Sequence, residues 1–331
     1  MVKVVRDAGG PVEMSEAVAV SAAVVPGGRL TLATMTPVMI ADVLNALTIF
    51  YTPYLNDLIS VFGGSSWTMM KFSELSNITT NSVVGRAGPA AVVANSNYDL
   101  FVWNDGGILR LTRGPLWTSD TTRGVGAGTT ELVRVEGVWL NAAAITNGPA
   151  AQRGTYVGTV RSDAGAAIDW ELGGTGAGGD PGFLHVWNCY NRVVVEVLVR
   201  DSTNSWTYAV IGVWRAANAS TLNRVSYIVG LAEEWIDAEY HGIGSGGFGA
   251  VAYSGVGFDS AVLKSGITAL FFIGGVGSGI GQMQGRDSEN ALGFHFFQAI
   301  ELNNGFGAAT FWGDAGIPLI LQSGFVVRGK F

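Results

Sequence analysis

Apolar and polar residues alternate over short stretches cut off by glycine, asparagine and aspartate, the texture of half-buried strands joined by tight turns. From residue 29 onward, β-branched and aromatic runs fall at 29–34, 47–51, 58–62 and 67–72. Runs at 98–104 and 108–112 flank Asp105-Gly106-Gly107, a turn sequence that predicts a hairpin. Further strands are expected at 131–140, 155–161, 167–172, 184–188, 192–200, 206–213, 224–231, 232–240, 250–258, 292–302, 310–312 and 319–328. Alternation is cleanest at Val193, Val195, Val197 and Val199, which place only valine on one face. One helical turn is expected at 72–78, where Ser73 precedes Glu74 and Leu75 in the manner of an N-cap.

Strands this short and this closely spaced predict a mainly β fold. A parallel α/β fold would need intervening amphipathic helices of about 10–15 residues, and the chain carries no series of them. The expected organisation is an N-terminal attachment arm at 1–28, a small β-domain at 29–115, a Gly-rich linker or loop at 116–130, and a larger antiparallel β-sandwich, jelly-roll-like, at 131–331. Pro26-Gly27-Gly28 closes the arm, and Gly124-Val125-Gly126-Ala127-Gly128 marks the linker. A β-barrel is the alternative fold.

Composition adds an expectation about assembly. The 331 residues are 48% hydrophobic and 14% charged, against about 25% charged in ordinary soluble domains. So little charge predicts that much of the surface is buried between subunits, as a homo-oligomer with a trimer preferred. The net charge of −7 argues against nucleic acid as a partner, because phosphate binding needs a basic face. The uncharged stretch 265–285 is broken by glycines and glutamines, so it predicts glycine-rich β or loop structure and no membrane insertion. Residues 1–10 carry Lys3, Arg6 and Asp7 in place of the apolar core of a signal peptide, which predicts assembly in the cytoplasm.

Candidate chemistry is sparse. Three windows satisfy G-x-G-x-x-G (Gly174/Gly176/Gly179, Gly242/Gly244/Gly247 and Gly244/Gly246/Gly249), but none opens a helix, so they are expected to be turns and no cofactor is expected. His185, His241 and His295 are scattered, and Cys189 is the single cysteine, so no metal site is expected. Asp169/Glu171, Glu233/Glu234 and Asp237/Glu239 are acid pairs of the kind a glycosidase uses, although solvated strand faces have the same pattern, and no catalytic residue is expected. Tryptophan is the more informative residue, because indole faces stack on sugar C–H surfaces while neighbouring amides bind hydroxyls. The cluster Trp187, Asn188, Tyr190 and Asn191 is the candidate glycan-binding site, with core or subunit-interface packing as its alternative.

The stretch Asn97-Tyr-Asp-Leu-Phe-Val-Trp-Asn-Asp-Gly-Gly107 is followed by Leu111-Thr-Arg-Gly-Pro-Leu-Trp117, Gly126-Ala-Gly-Thr-Thr-Glu-Leu132 and Arg153-Gly-Thr-Tyr-Val-Gly-Thr159. With Gly28-Arg-Leu-Thr-Leu32, Pro37-Val-Met39, Tyr51-Thr-Pro-Tyr54 and Leu292-Gly-Phe-His-Phe-Phe-Gln-Ala-Ile300, it resembles structural proteins of tailed bacteriophages and of gene transfer agents of α-proteobacteria, of the head spike or tail fibre kind. The resemblance implies a virion protein, a fibre or spike subunit held by other capsid or tail proteins and contacting a host surface glycan. A purely architectural capsid or tail component and a glycan depolymerase are the alternatives. No family catalytic residue maps onto the chain.

Overall fold

The computed structural model describes residues 4–6, 9–12, 23–80, 90–246, 251–263, 271–273, 280–315 and 321–331. Among them the chain forms 30 strands, and its one helical element is the 3-10 turn Ala217–Ala219.

Two large sheets form a sandwich. The eight-stranded sheet runs in the order Phe271–Ile273, Val251–Phe258, Gly293–Asn303, Arg224–Val229, Gly182–Leu184, Ile168–Leu172 and Val43–Ala46, with Arg215–Ala216 added against Gly293–Asn303. The seven-stranded sheet runs Thr175–Gly176, Val194–Asp201, Gly324–Lys330, Ile236–Gly246, Ala309–Trp312 and Ser205–Tyr208, with Ile280–Glu289 on the second edge of Ile236–Gly246. Val197, Val199, Tyr240, Phe325 and Val327 from the latter join Val225, Tyr227, Val256, Phe297 and Ala299 from the former in one buried cluster. The valine alternation thus does what its period implies: Val195, Val197 and Val199 are buried while Val194 is 71% exposed. The expected β-sandwich is present, with two parallel pairs in an otherwise antiparallel arrangement: Gly182–Leu184 with Arg224–Val229, and Thr175–Gly176 with Val194–Asp201.

A six-stranded sheet runs Ile108–Leu116, Asn97–Asp105, Thr155–Arg161, Val138–Asn141 and Leu132–Val135, with Val186–Asn188 also paired to Thr155–Arg161. Its first two strands are the expected hairpin, turned by Gly106 and Gly107 at φ 62° and 99°, values that β-carbon-bearing residues rarely adopt. Gly28–Thr31, Thr48–Pro53 and Leu75–Ile78 make a three-stranded sheet, and Leu58–Phe62 pairs with Trp67–Lys71.

Four local expectations are corrected. Residues 75–78 form a strand and not a helical turn, because their backbone pairs with Thr48–Pro53. Glu74 accepts hydrogen bonds from Thr34 Oγ1 (2.5 Å), Met35 N (2.5 Å) and Thr52 Oγ1 (2.6 Å) instead of lying in a first helical turn. The expected strand 131–140 is a hairpin, since Glu136 (φ 47°) and Gly137 (φ 90°) turn the chain. The expected strand 184–188 is two strands in different sheets, with the chain crossing from one to the other at His185. In 206–213 only Ser205–Tyr208 is strand, and Val210, Ile211 and Val213 lie exposed beyond it. The stretch 265–285 falls partly outside the described residues; Phe271–Ile273 and the start of Ile280–Glu289 within it are strand.

The hydrogen bonding does not divide where the glycine-rich segment 116–130 lies, because Asn97–Asp105 on one side of it pairs with Thr155–Arg161 on the other. The segment is pinned to the body. Arg123 donates through Nε and Nη2 to Asp99 at 2.7 and 3.1 Å, and through Nη2 to the Tyr156 hydroxyl and the Gly230 carbonyl. Asp99, 0% exposed, also accepts the hydroxyls of Thr130 (2.9 Å) and Thr159 (2.6 Å). Of the expected arm, Gly28 already opens the three-stranded sheet, and the Gly27 carbonyl accepts the amides of Tyr54 and Leu55. Residues 4–6 and 9–12 form a two-stranded hairpin.

Removing one partner of a buried ion pair leaves the other charge unmatched, at a cost of about 3–5 kcal/mol. Asp99→Asn is therefore expected to lower unfolding free energy by about that amount in a denaturant titration. A loss under about 1 kcal/mol would show that the pair does not carry the joint.

Candidate functional site

The four residues expected to bind glycan form an internal joint, which corrects that assignment. Trp187 and Asn188 are each 2% exposed, and the Arg192 guanidinium lies 4.9 Å above the Trp187 ring. Asn188 Oδ1 accepts the Leu30 amide at 2.6 Å. The half-buried Tyr190 accepts the Trp139 amide at 3.4 Å, and burial raises its hydroxyl above the ordinary range. Asn191, at φ 57°, donates Nδ2 to the carbonyls of Pro26 (2.7 Å) and Gly28 (3.1 Å). The amides that would have met sugar hydroxyls instead tie residues 187–191 to the strand Gly28–Thr31. Amide and indole chemistry serves both uses equally, so only tertiary packing separates them.

Of the ten tryptophans, Trp235 alone is prominently exposed, at 58%. It lies just before the strand Ile236–Gly246, where Ile236 is 3% exposed and turns inward, while Trp235 and Asp237 face outward. The preceding turn is closed by the Glu233 amide on the Leu231 carbonyl at 2.8 Å. Trp235 lines an open groove of about 410 Å³ with Val194, Glu233, Glu234, Asp237, Arg328 and Lys330.

Sheet register builds the floor of this groove. Arg328 stands between Glu196 and Asp237 on the two neighbouring strands, and Val194 stands beside Lys330. Arg328 Nε meets Glu196 at 2.6 Å, Lys330 Nζ meets Glu234 at 3.2 Å, and Arg192 Nη2 meets Glu233 at 3.1 Å. Exposed ion pairs of this kind contribute only about 0–1 kcal/mol, so a ligand hydroxyl can replace one partner at little cost. An exposed indole beside carboxylates and cations offers stacking to a sugar ring and both acceptors and donors to its hydroxyls. Residue order held a signal for it: Glu233-Glu234-Trp235-Ile236-Asp237 puts the indole in phase with Asp237 on a strand's polar face.

The acid pairs lie in different surroundings. Glu233 and Glu234 face cations in the groove, and Glu239 meets His241 at 3.2 Å on the same face as Asp237. Asp169 and Glu171 project from one face of Ile168–Leu172, and Asp169 accepts the Asn45 amide at 2.8 Å. Burial, then Asp180, Asp42 and Asp169, push the Glu171 carboxyl up to about 7. His185, 5% exposed, is driven down to about 3 by burial and then by Arg161, a neutral core histidine bonded to Ser226 at 2.9 Å. Burial pushes the Cys189 thiol up to about 12, which makes it inert.

The expectation that the G-x-G-x-x-G windows are turns is corrected for four of their glycines: Gly176 ends the short strand Thr175–Gly176, and Gly242, Gly244 and Gly246 lie within the strand Ile236–Gly246, whose backbone is paired on both edges. Gly247 and Gly249 lie outside the described residues. Among the described residues, no group of three or more His, Cys, Asp or Glu is placed to hold a metal ion, and no helix is long and apolar enough to cross a membrane. No known family model and no curated protein matches the chain.

Two outcomes are expected from these surroundings. A carboxyl whose pKa rises on folding adds stability that is full below its ordinary value of 4.5 and lost as pH climbs through about 7. Glu171→Gln is therefore expected to leave the melting temperature unchanged near pH 4 and raise it above pH 7, and an unchanged melting temperature at pH 8 would refute this. Asn188→Ala leaves the Leu30 amide without its acceptor and is expected to cost about 1–3 kcal/mol by denaturant titration.

Proposed function

We propose that the chain is a non-enzymatic structural subunit of a bacteriophage particle, a fibre or spike that docks on capsid or tail proteins and contacts a host surface glycan through the Trp235 groove. The placement of Trp235 carries this proposal: it is the one tryptophan that is more than half exposed to water, and it stands in a groove beside carboxylates and cations. The groove combines stacking surface with charged hydrogen-bonding groups, as sugar recognition requires. The resemblance to phage and gene transfer agent structural proteins supports the particle setting.

The subunit works as a homo-oligomer, with a trimer preferred, in the virion. Besides the low charge, exposed apolar residues support association. Val210, Ile211 and Val213 are each more than half exposed, and Phe306 is 85% exposed. Residues 211 and 212 are held against Asn303, three positions before Phe306, by the Ile211–Asn303 bridge and the Gly212 amide on the Asn303 carbonyl at 2.8 Å.

Trp235→Ala is expected to reduce binding to host cells at least tenfold while leaving the melting temperature unchanged, since the ring contributes little to the core. Wild-type adhesion by this variant would remove the groove as the receptor site. Light scattering at micromolar concentration is expected to give a trimer, and a monomer of full thermal stability would overturn the assembly.

A further inference from the structure

Arg153 is a guanidinium without an acid. Among the described residues it meets no carboxylate, and its one side-chain hydrogen bond runs from Nη1 to the Gln152 carbonyl at 3.4 Å. Two devices nevertheless hold it in place. On its own side, Asn141 is 1% exposed and pins the turn: Nδ2 donates to the carbonyls of Ala143 and Ala150 at 2.8 Å, and Oδ1 accepts the Gly154 amide at 2.7 Å. The Arg153 amide closes the same turn on the Ala150 carbonyl at 3.1 Å. On the opposite side, the hairpin Leu58–Phe62/Trp67–Lys71 turns through Gly64 at φ +103°, and a Cβ there would stand 2.0 Å from Arg153 Nη2. The guanidinium thus occupies room that only glycine leaves free. It lies 5.7 Å over the Phe62 ring, which packs on Trp67 at 5.1 Å.

The cation lines a pocket of about 260 Å³ with Val61, Phe62, Thr68, Trp103, Asn104 and Ala150, and it is the only charged side chain in that lining. The Trp103 indole N–H is spent on Thr112 at 2.8 Å, so that residue offers ring surface without a donor. Asn104 Oδ1 accepts the Gly107 amide at 2.6 Å, which leaves its Nδ2 as a donor for a ligand. The pocket therefore combines an unmatched planar fork, amide and hydroxyl groups, and an apolar wall. Its volume falls below the roughly 300–1,000 Å³ of drug-sized sites, which sizes it for a single ring.

We propose that this pocket binds the carboxylate of an acidic sugar, a hexuronate unit, with the Arg153 fork bidentate on the carboxylate and the ring's C–H face against Val61 and Phe62. It goes beyond the Trp235 groove and shares no residue with it, so either site can fail alone.

The test titrates the full chain with sodium glucuronate, sodium acetate and neutral methyl glucoside, read by calorimetry. Glucuronate is expected to bind saturably, with acetate and methyl glucoside each at least tenfold weaker. Arg153→Gln is expected to weaken glucuronate roughly tenfold or more at unchanged melting temperature, while Trp235→Ala leaves it unchanged. Should Arg153→Gln lower the melting temperature, Asn104→Asp carries the test, because it keeps the arginine and introduces a repelling charge that weakens glucuronate by a similar factor. The proposal is overturned if glucuronate shows no saturable binding, if acetate or methyl glucoside binds as well, or if neither pocket variant weakens it.

Discussion

The ion pair between Asp99 and Arg123 is the constraint on which the arrangement of sheets depends. Asp99 sits fully buried in the six-stranded sheet with four donor contacts, two from Arg123 and one each from Thr130 and Thr159. Arg123 reaches it from the glycine-rich segment, stacks 4.3 Å from the Trp117 ring, and bonds to the Gly230 carbonyl next to the eight-stranded sheet. Burial opposes its charge, but Asp99 and Tyr156 outweigh burial and hold the guanidinium above its usual range. A carboxylate with its lone pairs satisfied in this way tolerates the low-dielectric interior, and an unsatisfied one would not. The glycine-rich segment, which composition alone makes a linker, is therefore a strap across two sheets.

Arg29 plays a parallel part for the three-stranded sheet. Only 3% exposed, it donates to the carbonyls of Pro37 (2.8 Å), Asn191 and Phe331 (3.0 Å), and burial lowers its pKa to about 10. Together with Asn188 and Asn191 it gathers residues near 29, 190 and 331 around one point. One hydrophobic cluster accordingly runs from Leu30 to Phe331. The molecule spends its rare charged and amide groups on joints between sheets. The polar groups left over are concentrated at exposed places, and the Trp235 groove is one of them.

Much of the β architecture was legible in the chain. Strands such as Leu58–Phe62 and Thr155–Arg161 fall where β-branched and aromatic runs between turn residues place them, because strand preference and turn chemistry are local properties. The misplaced elements were decided non-locally. Residues 75–78 have a plausible helix cap, yet an unpaired strand edge at Thr48–Pro53 recruits their backbone. His185 looks like mid-strand, yet the chain changes sheets there. The site followed the same division: the chain showed that tryptophan was the residue to follow, and the acidic run Glu233-Glu234 before Trp235, absent before Trp187, was the local sign of which ring faces water. The joint that buries Trp187 and Asn188 is set by distant residues.

By itself, then, the sequence determined the secondary-structure class, the valine face of Val194–Asp201, the Asp105-Gly106-Gly107 hairpin and the shortage of charge. Those properties are set by side-chain period, backbone preference and composition, each of which acts within a few residues or over the whole chain at once. Tertiary structure alone decided which sheets pair across 116–130, that Trp187 and Asn188 are buried in a joint, and that Arg153 lines a pocket with Phe62 and Trp103. Such outcomes depend on contacts between residues tens to hundreds of positions apart, and no local pattern records which of several chemically equivalent groups will meet.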